Sequence, residues 1–336
     1  MRDYPRGVVG TLRPMIVGWH ASHEQIAPSA LLEAARRAEA AGFDAGMCSD
    51  HFAPWSARQG ESGFAWSWLG AALAATSLPF GVVTAPGQRY HPAIVAQAVA
   101  TLLEMFPRRL WVALGTGEAS NEHITGDRWP DKATRTARLG ESVEVMRALF
   151  AGEEVTHHGL IDVDRARLWT LPPTPPTILG AAVSPATAEW VGGWADGLIT
   201  LNQDPTTLKE VLGAFRGAGG DGKPAYLQAH VSWAATEDEA LAIAHDQWRS
   251  NVFSPPLCWD LELPEHFDAA ARFVRPEDVR SSVLVSADIT WHHDQLAELL
   301  ALGFDGVWIH HVGKQQQPFL DAYGEHVVPQ LRRMTS

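Results

Sequence analysis

Asp44-Ala45-Gly46-Met47-Cys48, followed by Ser49-Asp50-His51-Phe52-Ala53-Pro54-Trp55, reads as a short strand that runs out into a loop carrying an acid, an imidazole and an indole. Pro54 cannot continue a helix, so these side chains belong to a loop just past a strand end. The same strand–loop–helix unit recurs in both directions along the chain. Upstream, residues 15–19 are an apolar run, and residues 27–42 place Leu31, Ala34, Ala35 and Ala38 at helical spacing before Gly42 stops the pattern. Downstream, strand patterns at 80–84, 110–114, 178–182, 197–201, 225–233 and 306–310 alternate with helical ones at 66–76, 93–106, 132–150, 186–194, 205–215, 237–252 and 294–302, and a last helical stretch covers 319–331. Eight such units predict an α/β fold, a (β/α)8 barrel whose chemistry sits at the C-terminal rim of the strands. A doubly wound sheet is the alternative, because period counting does not show closure.

Two stretches break the rhythm. Residues 154–172 read as an inserted β-hairpin closed by Pro172, Pro173, Pro175 and Pro176. Residues 254–288 are Pro-rich and then partly helical, the pattern of a lid-like insertion. Residues 1–14 are expected to be a flexible leader to a single domain spanning 15–334.

The 336 residues, 46% of them hydrophobic, suffice for the core of one large domain. A formal net charge of −13 without a Lys/Arg cluster excludes nucleic acid and anionic membrane surfaces as natural partners. Two cysteines, Cys48 and Cys258, provide no disulfide framework and suit a reducing cytoplasm. No signal-peptide pattern opens the chain, and no apolar run approaches the ~18 residues of a membrane span. Fourteen tryptophans are many for this length, and several lie beside loop signals where they could line an aromatic pocket.

The run Gly115-Thr116-Gly117-Glu118-Ala119-Ser120-Asn121-Glu122 follows the strand at 110–114. It has Ser where a dinucleotide fingerprint needs its third glycine, and no helix is expected directly after it, so a nicotinamide fold is disfavoured. Glycines at a strand end also let a flat ring approach the backbone, with Glu118 and Asn121 facing it; an ordinary glycine turn with solvated acids is the plainer alternative. The fifteen histidines include neighbours at 157–158, 292–293 and 310–311, which on a strand face opposite ways, and no ligand spacing for a metal is present. His310 or His311 could contact the pocket. No nucleophile elbow G-x-S-x-G occurs. For Asp50 and His51 two readings stand. Asp50 caps the next turn while His51 packs on Trp55, or His51 accepts a hydroxyl proton while a hydride leaves the same carbon.

Taken together, Ala21-Ser22-His23-Glu24-Gln25, the 49–55 run, Arg89-Tyr90-His91-Pro92-Ala93, Ala96-Gln97-Ala98 and the 115–122 run resemble the luciferase-like superfamily, nearest its deazaflavin-dependent glucose-6-phosphate dehydrogenase branch. The resemblance implies a TIM barrel holding a flavin-type ring, coenzyme F420 or FMN, with a small-molecule substrate and a homodimer. It implies that His51 is the base, Glu118 the acid that protonates the ring, Trp55 a wall and Glu24 an acid that tunes the site. Asp50 and Asn121 match cofactor-contacting positions, and Val82-Val83 falls where the family has a cis peptide behind the ring. The family's phosphate-binding Gly-Gly turn corresponds to Gly180-Ala181-Ala182-Val183-Ser184, whose altered sequence leaves the choice of cofactor open. The lysines of the family's sugar-phosphate cradle fall near Asp204 and Asp268, which would repel a phosphate, so glucose 6-phosphate is not the expected substrate. The expected activity is hydride transfer between the ring and an alcohol or carbonyl. A reduced-FMN monooxygenase and a non-catalytic flavin-binding barrel are the alternatives.

Overall fold

The computed structural model describes residues 15–334; the expected leader, residues 1–14, lies outside the described residues. Strands β1 (Ile16–Ala21), β2 (Ala45–Ser49), β3 (Phe80–Thr84) and β4 (Leu110–Leu114) come first. A hairpin follows, β5 (Val155–His158) with β6 (Asp162–Ala166), and then β7 (Thr177–Ala181), β8 (Gly197–Leu201), β9 (Ala225–Trp233), β10 (Leu284–Ser286) and β11 (Gly306–His311). The parallel order β9-β11-β1-β2-β3-β4-β7-β8 closes on itself through the β8–β9 pairing, which makes the (β/α)8 TIM barrel and removes the doubly wound alternative.

These strands read as apolar runs rather than alternations because both faces are covered. Inside, Met47, Leu179, Ile199 and Trp308 form one cluster with Trp111 and Tyr226. The three aromatic rings plug the barrel, with Trp308 at 4.6 Å from Tyr226 and 5.4 Å from Trp111. This plug requires Gly81: a Cβ there would sit 1.9 Å from the Trp111 ring. Of the fourteen tryptophans, Trp111 and Trp308 fill the barrel, whereas Trp19, Trp66 and Trp68 pack in the core outside it and Trp169 is exposed.

Outside lie α1 (Pro28–Ala40), α2 (Ala65–Ala75), α3 (Pro92–Met105), α4 (Ala119–Glu122), α5 (Lys132–Phe150), α6 (Pro185–Gly192), α7 (Pro205–Phe215) and α8 (Glu237–Trp248). They are followed by α9 (Leu257–Asp260), α10 (Pro264–Ala270), α11 (Ile289–Leu300), α12 (Gln316–His326) and α13 (Val328–Arg333). Several start where sequence chemistry dictates. Asp131, Ser184, Asp204, Thr236 and Asp288 accept hydrogen bonds from the first-turn amides, and Pro28, Pro92, Pro185 and Pro205 occupy first-turn positions.

The antiparallel hairpin of β5 and β6 is tied to α5 by Glu141, which accepts from Leu160 N at 2.8 Å and contacts His157 Nε2 at 2.9 Å. The second insertion differs in one respect. Its last residues are strand β10, which pairs with Val231–Trp233 of β9, the part that extends beyond its pairing with β8. A three-residue strand is too short to show a period. A helix does begin directly after the glycine run, since Glu118 is the N-cap residue of α4. The Val82–Val83 bond is trans, because the cis peptide among the described residues is Pro255–Pro256. Val82 and Val83 instead continue an unbroken register with Cys48 and Ser49 on one side and Val112 and Ala113 on the other, which leaves no bulge. Among the described residues no helix is long and apolar enough to cross a membrane.

Candidate active site

The C-terminal rim surrounds a cavity of about 1180 Å³, including its open mouth. Glu24 reaches it from the loop after β1, His51 and Trp55 from the loop after β2, and Glu118 from the turn after β4. Gly117 makes that last turn possible with a φ of 79°, in the left-handed region, and a Cβ there would press on the Glu122 side chain at 3.0 Å.

The loop at 51–55 is held on all sides. Asn121 Oδ1 accepts from Phe52 N at 2.8 Å, Gln59 Oε1 accepts from Trp55 N at 2.9 Å, and Ser62 Oγ donates to the His51 carbonyl at 2.9 Å. His51 Nδ1 lies 2.5 Å from Glu24 Oε1, and Ser22 Oγ donates to the other Glu24 oxygen at 2.8 Å. The His51 ring also packs on Trp55 at 5.1 Å, the contact of the plainer reading. Trp55 Nε1 in turn donates to Glu118 Oε2 at 3.2 Å. One chain of contacts thus joins Glu24, His51, Trp55 and Glu118.

Electrostatics sort these groups. Burial works against charge on His51, but the adjacent Glu24 carboxylate outweighs it and raises the imidazole pKa above its ordinary value. Burial likewise opposes the Glu24 anion, yet His51 draws its pKa down to about 2. Glu118 has no such cation in contact. Burial raises its pKa against the opposing effects of His51 and the Trp55 N–H.

Asp50 is a structural anchor as well as a lining residue. Its carboxylate accepts from Trp66 Nε1 at 3.0 Å, Thr84 Oγ1 at 2.9 Å and Tyr90 OH at 3.3 Å. Arg89, which had no assigned role, ties three loops together: it donates to the Asp50 carbonyl at 2.7 Å and lies 3.6 Å from both the Asp50 and Glu122 carboxylates. Val83, Gly115, Gly117, Asn121, Ala181 and Ala182 line the cavity. Val82 and Gly180 do not. Strand alternation turns Val82 into the outer core, and a Cβ on Gly180 would meet Val191 of α6 at 2.3 Å.

The residues present fit a flat ring with an anionic tail. Ala85, Gly115, Ala181 and Ala182 give a wall of small groups, and the Lys132 ammonium contacts only Thr116 Oγ1 at 3.3 Å and the Trp259 ring at 5.0 Å, with no carboxylate partner among the described residues. No group of side chains among the described residues is arranged for a metal.

Neither acid expected to repel a phosphate faces the cavity. Asp204 caps its own helix, accepting from Thr206 N and Thr207 N, and Asp268 of α10 accepts from Ser56 Oγ at 2.6 Å and Ala57 N at 3.0 Å. The ground on which glucose 6-phosphate was set aside is therefore absent. Of the paired histidines, His310 lines the cavity while His311 faces outward and stacks on Phe319 at 4.8 Å. His20, Thr200, Gln228, His230 and Trp248 also line it and were not anticipated. A histidine within the last four residues of β1, β9 and β11 was the available signal.

Comparison with known proteins follows the same lines. The family model described as luciferase-like monooxygenase matches residues 14–306. An F420-dependent glucose-6-phosphate dehydrogenase from Nakamurella multipartita is 35% identical over 333 residues, covering 96% of this chain and 98% of that protein. The protein of the same name from Mycobacterium tuberculosis is 31% identical over 332 residues, covering 95% and 98%. An F420-dependent secondary alcohol dehydrogenase, solved in complex with an F420-acetone adduct, superposes with a TM-score of 0.88 at 30% identity, covering 95% of this chain and 99% of that one.

Proposed function

The chain belongs to the luciferase-like family of oxidoreductases, and from that premise we propose that it moves a hydride between coenzyme F420 or FMN and the carbinol carbon of an alcohol, or the reverse with a carbonyl. The observation that carries this reading is the pairing of a carboxylate-backed imidazole, His51, with a buried acid, Glu118, across one indole. A bound cofactor would supply the two-electron acceptor; Val83, Gly115, Gly117, Asn121, Ala181 and Ala182 would hold its ring and Lys132 its anionic tail. The names of the relatives favour coenzyme F420.

The residues divide the proton work. Glu24 occupies His51 Nδ1, so Nε2 is the nitrogen that takes the substrate hydroxyl proton. The Glu24 anion then stabilises the imidazolium. Trp55 occupies Glu118 Oε2, leaving Oε1 to hold a proton for delivery to the ring side of the cavity. Trp55 and Trp248, 5.8 Å apart, form an apolar face that excludes water.

Separate titrations with coenzyme F420 and FMN, followed by single-turnover assays with alcohols, test the proposal. His51→Ala is expected to lower kcat by about 10²–10⁴-fold with cofactor affinity within a few-fold of the parent. Normal turnover in that variant would remove His51 as the base. Oxygen consumption with reduced FMN would move the assignment to a monooxygenase, and cofactor binding without any turnover to a non-catalytic barrel.

A further inference from the structure

The cavity has two unlike halves. Strands β2, β3, β4 and β7 bring His51, Glu118 and the small-residue wall, whereas the contiguous strands β8, β9, β11 and β1 bring Thr200, Gln228, His230, His310 and His20. His230 and His310 are register partners, and the His310 ring lies 4.3 Å from His20 and 5.2 Å from His230, so the three imidazoles form one layer of the barrel. Burial lowers the pKa of His20 to about 3 and of His230 to about 4, and carries His310 well below its ordinary value. The layer is thus a bank of neutral donors and acceptors.

Several of those valences are open. His310 Nε2 faces Gln25 Oε1 at 3.0 Å, an oxygen that can only accept, so the ring proton sits there and Nδ1 is a bare acceptor. His310 Nδ1, His20 Nδ1 and Thr200 Oγ1 are buried without any hydrogen-bond partner. Burying polar atoms unpaired is unfavourable unless a ligand completes them. Beside the layer, Trp248 packs at 4.7 Å from His310 and 4.9 Å from His230, an apolar plate next to polar groups. Apart from histidines, the cationic side chains lining the cavity among the described residues are Arg89, committed to Asp50 and Glu122, and Lys132 on the opposite half.

Resting on the hydride-transfer reading above, we propose that Thr200, Gln228 and the His20–His230–His310 layer form a subsite for the hydroxyl groups of an uncharged polyol or sugar, whose reacting carbinol is presented to His51. A hydroxyl both donates and accepts, which matches bare imidazole nitrogens next to an amide and a threonine. A C–H face of the sugar would lie on Trp248. A phosphorylated end would meet no free cation there.

Calorimetric binding to the cofactor-loaded protein tests this, with D-glucose, D-sorbitol, D-glucose 6-phosphate and 2-propanol as probes. D-glucose or D-sorbitol is expected to bind at least tenfold tighter than the other two. His310→Phe and Thr200→Val are each expected to weaken that binding tenfold or more, with cofactor affinity and thermal midpoint unchanged. Tighter binding of D-glucose 6-phosphate or 2-propanol, no saturable binding of either polyol, or full affinity in the well-folded Thr200→Val protein would overturn the subsite. Because binding is read without turnover, polyol binding with no redox change would sink the hydride-transfer reading while leaving the subsite in place.

Discussion

At the level of single residues, the site works through two opposed electrostatic environments. In the proposed mechanism His51 must lose a proton before it can accept one, and its pKa is raised, so that ionisation should set one break in the pH profile of alcohol oxidation. Glu118 must keep its proton, so its ionisation should remove activity, with a break at its own raised pKa. Glu24→Gln removes the carboxylate that raises His51 and leaves the burial that lowers it. The His51 break in kcat/KM should therefore move to lower pH, and an unmoved break would detach Glu24 from the base. Trp55→Phe deletes the N–H that favours the Glu118 anion, so the Glu118 break in the pH profile should move to higher pH. That His51, Glu118, Trp55 and Glu24 line one cavity was legible because each sits in a short run at a strand end. Arg89 and the three-histidine layer were not, since their meaning depends on which strands become neighbours.

At the level of elements, periodicity exposed the strand–helix alternation well because strands buried on both faces are continuous apolar runs. It failed where the signal is short. Strand β10 and helix α4 span three and four residues, less than one period of contrast. Facing direction was also beyond its reach, as Gly180 and Val82 show by pointing away from the cavity. Asp204 illustrates the same limit: its carboxylate serves the first turn of α7. Asp204→Ala should cost about 1 kcal/mol of stability, seen as a lower denaturant midpoint, with substrate preference unchanged. A changed preference would place that side chain in the cavity after all. Gly81→Ala should destabilise by about 1–3 kcal/mol, because the plug formed by Trp111, Tyr226 and Trp308 has no room for a methyl group.

On the scale of the whole molecule, closure through β8 and β9 turns a linear order of units into a ring with two chemically distinct arcs. Sequence spacing supplied the units and the resemblance implied the closed ring, which the pairing of β1 with both β2 and β11 realises. The second insertion is likewise tied to the site. Asp268, on α10, grips Ser56 Oγ and Ala57 N, the two residues that follow Trp55. Withdrawing α10 therefore loosens the loop that carries the indole and, through it, the hold on Glu118. The backbone amide of Ala57 becomes a stopwatch for this coupling, since it can trade its proton for deuterium only while the grip is released. Asp268→Ala should quicken that exchange about tenfold or more, as the loss of a hydrogen bond to a charged acceptor implies. An unchanged rate would mean that loop and insertion keep separate time.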